Sequence, residues 1–172
     1  PHAYGLAEYG QESAGWNVVG MVHVDAGADA SQAIEETDWL QAMGEAQGLP
    51  SGLVAFAALD DPEVDQLLAA HAARSRVRGI RHIVNWHADP NRTYTPRDVT
   101  RDEAWARGFA CLARHGLSFD LQAYPAQFPG LVPLIDRHPD IPVILNHAGM
   151  GTGFEADGVS EWRAGLQDPG AL

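Results

Sequence analysis

Polar side chains stand where the apolar runs of this chain give out. Asp25 follows "NVVGMVHV", Asn85 follows "VRGIRHIV", Gln122 and Tyr124 close "LSFDLQAY", and Asn146 and His147 follow "IPVIL". Polar groups of this kind, set where buried runs end, need hydrogen-bonding partners or a ligand, and an imidazole or carboxylate among them can also move a proton. Taken singly, each has a plainer account, such as a histidine satisfied by a backbone partner. Repeated at several run ends, they point to one ligand site.

The elements that must position them are legible. The runs 17–24, 52–59, 77–84, 117–124 and 141–148 have strand length and are rich in branched residues, as buried parallel strands are. Helical patterns alternate with them. "DDPEVDQLLAAHAARS" offers Asp61 as N-cap and Pro62 at the first helical position, and "DEAWARGFACLARHG" closes on Gly116. "SQAIEETDWLQAMGEAQG" ends near Gly48, and "PGLVPLIDRHPD" makes a short helix before the last strand. The ending "WRAGLQDPGAL" reads as the start of another helix. This alternation predicts an α/β fold with a parallel sheet and right-handed crossovers, in which ligands bind at the carboxyl ends of the strands. The spacing is close to the repeat of a (β/α)8 barrel of about 250 residues, and the runs supply about five of its eight units. An open doubly wound sheet is the other arrangement that the alternation allows.

Parity assigns faces. In the first run it sets His23 and Asp25 opposite Val22 and Val24 and predicts that both polar residues point inward. In the fourth, Phe119 and Leu121 face the helices while Asp120, Gln122 and Tyr124 face inward. Arg81 and Asn85 share one parity, His82 and Trp86 the other. An isolated His82 or Asp120 reads as structural. The connection 85–103, carrying Arg92, Tyr94 and Arg97, exceeds an ordinary βα loop and suggests an active-site lid.

Composition narrows the chemistry. Eleven basic residues face 23 acidic ones, a net charge of −12, which argues against a nucleic-acid partner. All the basic residues are arginine, so neither a lysine Schiff base nor a carbamylated lysine arises within these residues. The single Cys111 reads as a small core residue, and no disulfide framework or cysteine-zinc cluster can form. No apolar run suggests a membrane span and no signal peptide is visible, so a cytoplasmic location is expected. Motifs for a serine nucleophile elbow, a phosphate-binding loop, a dinucleotide fold or an H-E-x-x-H zinc site are absent.

The blocks "NVVGMVHVDAG", "ETDWL", "VRGIRHIVNWH", "LSFDLQAYPAQ" and "RHPDIPVILNHAGM" resemble the lactonase-like branch of the amidohydrolase superfamily (amidohydrolase-related family 2). Members are TIM-barrel hydrolases, many of them metal-dependent, that open sugar lactones and lactones of aromatic degradation. The resemblance implies that residues 1–172 form one domain, a partial barrel holding strands two to six. It implies that His147 is catalytic, binding a metal or the substrate carbonyl, and that Arg81 contacts a substrate carboxylate or hydroxyl. Gln122 and Tyr124 fall on a substrate-facing strand, and with them His23 and Asn85 are expected to bind substrate. A divalent metal, zinc by expectation, is implied as cofactor, although some relatives work without one. The family's H-x-H motif and terminal aspartate are not in this sequence, so further residues at both ends, and poor folding of the segment alone, are expected. A small-molecule substrate is implied, and a homo-oligomer is compatible. A decarboxylase on the same scaffold, a non-catalytic binding barrel and an inactive fragment are the alternatives.

Overall fold

Branched and aromatic runs bounded by glycine turns become strands here because each can be buried between helices and its neighbours. In the computed structural model, which describes residues 4–153 and 155–167, the strands are β1 (Val22–Val24), β2 (Gly52–Phe56), β3 (Val77–Ile83), β4 (Ser118–Gln122) and β5 (Val143–Leu145). All pair in parallel and in chain order, β1-β2-β3-β4-β5, so the sheet is a curled half barrel and not doubly wound. The helices are α1 (Leu6–Glu12), α2 (Ala33–Gln47), α3 (Val64–Ala72), α4 (Glu103–His115), α5 (Phe128–Asp136) and α6 (Ala156–Gln167). None of the described helices is long and apolar enough to cross a membrane.

Register divides the sheet into two faces. Leu53, Ala55, Ile80, Val84, Phe119 and Leu121 lie in the core, with Trp105, Phe109 and Leu112 of α4. Trp105 stacks on Phe109 at 5.8 Å, and both meet Phe119 edge-on. The other face carries Phe56, Arg81 and Asp120, which register with one another across β2, β3 and β4. Ile144, level with Asp120 on β5, continues it, and is 45% exposed.

Helix ends follow local chemistry. Gly48 and Gly116 close α2 and α4 in the left-handed conformation, where a side chain would be strained. Helix α4 also approaches the turn after β2 closely: a Cβ on Gly108 would overlap the Leu59 carbonyl oxygen.

Several expectations need correction. The first strand begins at Val22 and not at residue 17, since among the described residues no strand pairs with the preceding segment. Helix α3 begins at Val64, because Asp61 caps a turn by accepting from the Glu63 amide at 2.7 Å and Pro62 stays in that turn. The last helix starts at Ala156, ahead of the expected segment, and the stretch from 168 onward lies outside the described residues. Cys111 is only half-buried, at the margin of the core, with Sγ donating to the Arg107 carbonyl.

Candidate active site

The carboxyl ends of β3 and β4 bring a row of polar groups together on the inner face. Arg81 reaches from β3 in two directions. Its Nε and Nη2 lie 3.4 and 3.5 Å from Asp25 Oδ2, and its Nη1 donates to Gln122 Oε1 at 3.2 Å. Asp25 is held in turn by the Gly27 amide, which donates to Oδ1 at 3.0 Å. These three side chains are buried, so the pair must offset its own desolvation. Nearby, Asn146 Nδ2 donates to Asp120 Oδ2 at 3.0 Å.

Asn85 sits at the end of β3 with no solvent exposure. Its carbonyl oxygen accepts from the Tyr94 amide at 3.0 Å and from the Thr95 hydroxyl at 3.3 Å, which folds the long connection back over the strand. That connection leads through Arg92 and Tyr94 to one wall of a cleft of about 530 Å³. Tyr124, His147 and Met150 also line it, with the glycine-rich stretch that follows Met150. The Tyr124 hydroxyl donates to the Arg92 carbonyl, which fixes its ring as wall. Burial pushes the Tyr124 phenol up from its ordinary value; Tyr94 adds to this and Arg92 opposes it, so at neutral pH the group is a donor and not a base.

His147 occupies the turn after β5, exposed at the mouth of the cleft. It has φ 50°, Ala148 has φ 53° and Gly149 has φ 67°, three left-handed residues in succession. Two of them carry a Cβ, and strain of this kind concentrates at functional sites. Arg81, Gln122 and Asn85 do not line this cleft. Asn85 and Gln122 lie against Met150, whose sulfur is 3.9 Å from both Asn85 Nδ2 and Gln122 Nε2, and Arg81 reaches Gln122 from the other side.

His23 is not on the inner face. It registers with Leu53, a core residue on the helix-facing side; branched residues occupy both parities of the run, so parity alone does not fix its face. It is half-buried, Nδ1 has no partner among the described residues, and it lies close enough to Glu36 of α2 to oppose the burial that raises that carboxyl. Asp25, one residue past the strand end, does turn inward to Arg81. His82 faces the helices, as a structural residue should: its Nδ1 accepts from the Leu59 amide at 3.1 Å and from Trp105 Nε1 at 3.3 Å.

Gln127 escaped the sequence reading. Its Oε1 accepts from the Trp86 and Tyr124 amides, each at 3.1 Å, and its Nε2 donates to the Val84 carbonyl at 3.0 Å and to Asp98 Oδ1 at 2.8 Å. All four bonds an amide can make are used, and they tie the ends of β3 and β4 to the long connection. The signal available was its place three residues after Tyr124, from which a side chain reaches back to the N-cap amide.

Comparison with known proteins agrees with this architecture. A family model described as amidohydrolase matches residues 6–166, and the chain belongs to that family. It is 37% identical over 168 residues to the uncharacterised protein y4mH of Sinorhizobium fredii, covering 95% of this chain and 55% of that protein. It is 26% identical over 142 residues to the L-fucono-1,5-lactonase of Burkholderia multivorans, covering 80% and 46%. A crystal structure of an amidohydrolase from Burkholderia multivorans with bound zinc matches with a TM-score of 0.67 at 25% identity, over 94% of this chain and 52% of that one. The chain spans about half the length of the curated relatives it matches.

Proposed function

We propose that this half barrel belongs to a hydrolase that opens a lactone or similar cyclic ester. The supporting observation is the buried row Asp25–Arg81–Gln122 at the strand ends, beneath a cleft with His147 at its mouth. Membership of the amidohydrolase family and the likeness to an L-fucono-1,5-lactonase support the same reading.

The roles follow from the geometry. Asp25 and Gln122 hold the Arg81 guanidinium in one orientation, so little reorganisation is needed when it meets a polar substrate group. In this reading His147, which lines the cleft, offers its imidazole to the ester carbonyl, where negative charge develops as water attacks. Tyr124, tied to Arg92, shapes the wall against which the ring lies.

A divalent metal is suggested by the zinc-bound relative. When bound, such an ion polarises a carbonyl and lowers the pKa of water. Among the described residues, however, no three His, Cys, Asp or Glu side chains are grouped to hold one, and His147 alone does not make a site. No step is therefore assigned to it through these residues.

The test is turnover by the full-length protein on a panel of five- and six-membered lactones, with carbon dioxide release from carboxylated analogues followed in parallel. Ring opening that falls at least 100-fold in His147→Ala, a substitution at an exposed position, supports the proposal. Carbon dioxide release without ring opening would replace it with a decarboxylase, and absence of both would favour a binding protein.

A further inference from the structure

The inner-face amides are least well served where they are most buried. Asn85 has no exposure, and among the described residues its Nδ2 reaches only the Met150 sulfur at 3.9 Å and its Oδ1 has no partner. Exchanging the two amide atoms would set the oxygen against a thioether that has no hydrogen to give, and so leave both atoms unpaired. Gln122 is 5% exposed; its Oε1 is taken by Arg81, while its Nε2 also has only Met150 Sδ at 3.9 Å. A thioether is a weak acceptor, and that distance is the outer limit for it. Native interiors seldom leave such groups unpaired without a reason.

Met150 lines the cleft on one side and covers both amides on the other. It follows the left-handed residues His147, Ala148 and Gly149. Relaxing that turn would withdraw the side chain and join the amides to the cleft.

We infer that Asn85 and Gln122 form a subsite for an uncharged hydroxyl group, which Met150 fills in the free protein and vacates on binding. The inference rests on the lactone-hydrolase reading for the remainder of the ligand. A hydroxyl both donates and accepts, so it can give its hydrogen to Asn85 Oδ1 and receive one from Gln122 Nε2. A carboxylate cannot donate and would leave Asn85 Oδ1 unpaired. Arg81, beside Gln122, is already matched by Asp25, and Asp120 stands two residues from Gln122 on the same face of β4. The subsite thus selects a neutral hydroxylated ring over a carboxylated one.

The experiment uses full-length protein labelled with [methyl-13C]methionine, the Met150 signal being assigned by its loss in Met150→Leu. The probes are 1,5-anhydroalditols of gluco, galacto and fuco configuration, with tetrahydropyran and tetrahydropyran-4-carboxylate as controls. A shift of the Met150 methyl with at least one anhydroalditol and with neither control is expected, weakened at least tenfold in Asn85→Leu. Met150→Ala, which removes the competing side chain, should bind the same probe several-fold more tightly. An unmoved Met150 signal, an equal response to the carboxylate, or unchanged affinity in Met150→Ala would overturn the inference. These probes have no carbonyl, so they report on the subsite whether or not the protein opens lactones. A positive shift without turnover would defeat the hydrolase reading alone.

Discussion

Arg81 Nε lies 3.4 Å from Asp25 Oδ2, yet it is not aligned for a hydrogen bond, and both side chains are buried. Removing either partner strands the other charge away from water. Arg81→Met and Asp25→Asn should each destabilise the full-length protein by about 3–5 kcal/mol. The double substitution should cost less than the sum, because no stranded charge remains. Denaturant midpoints across the four proteins check this; strict additivity would show that the two groups do not act as a pair.

Gln127→Leu should loosen the long connection before it unfolds the barrel. The substitution orphans the Trp86 and Tyr124 amides and the Val84 carbonyl, each at about 1–3 kcal/mol when left dry. Water can reach the loop side, so the net loss should be about 2–4 kcal/mol. Amide hydrogen exchange should quicken first at Trp86 and Tyr124, and unchanged protection there would contradict the assignment of Gln127 as the tie.

The strands were legible because branched residues cluster in runs bounded by turn residues, and Gly48 and Gly116 announced their helix ends through a conformation that favours glycine. The inward Gln122 follows from parity on β4, where polar and apolar residues alternate; on β3 both parities mix them, and the register with β4 is what sets Arg81 on the same face. On β1 the alternation is ambiguous, and only pairing with β2 revealed that His23 lies level with Leu53. Gln127 and Met150 were hidden for a different reason. A glutamine in a turn looks like surface and a methionine looks like filler, and their roles depend on which chain ends the fold brings beside them.

Two buried histidines make stability depend on pH. Burial lowers the pKa of His71, with Arg74 adding to this while the Phe56 carbonyl and Asp38 oppose it. Burial likewise lowers that of His82, against Asp60 and Asp25. The unfolded chain then binds more protons than the folded one below the ordinary histidine value of about 6.5, so stability is lost as pH falls through that region. Denaturant midpoints should be flat from pH 8 to 7 and decline from about 6.5 towards 5. The decline should be shallower in His71→Gln, whose amide can still donate to the Phe56 carbonyl that accepts from Nε2 at 3.0 Å.

Gly108→Ala should be among the most damaging single-atom additions. The new Cβ would overlap the Leu59 carbonyl oxygen, and backbone cannot rotate away as a side chain can. Helix α4 would have to lift from the sheet, breaking the packing of Trp105 and Phe109 on Phe119. A loss of about 3 kcal/mol or more is expected from thermal or denaturant unfolding. Near-neutral stability would mean that α4 sits farther from the βα turn than the structure places it.

Position 147 should separate function from stability. His147 is exposed at the mouth of the cleft, so its ring adds little to the core, and its φ of 50° disfavours any residue with a Cβ. Glycine adopts that conformation freely, although it also gains freedom in the unfolded chain. His147→Gly should therefore leave stability unchanged or raise it by up to about 1 kcal/mol. If the imidazole meets the reacting carbonyl, the same substitution should lower kcat/KM at least 100-fold, mostly through kcat. His147→Ala keeps the strain and loses the ring, so it should match glycine in activity and fall below it in stability. Measuring kcat/KM and the denaturant midpoint on both variants of the full-length protein decides the matter. A glycine variant that retains activity would remove His147 from the catalytic machinery, and one that is less stable than alanine would show that the left-handed turn is not strained.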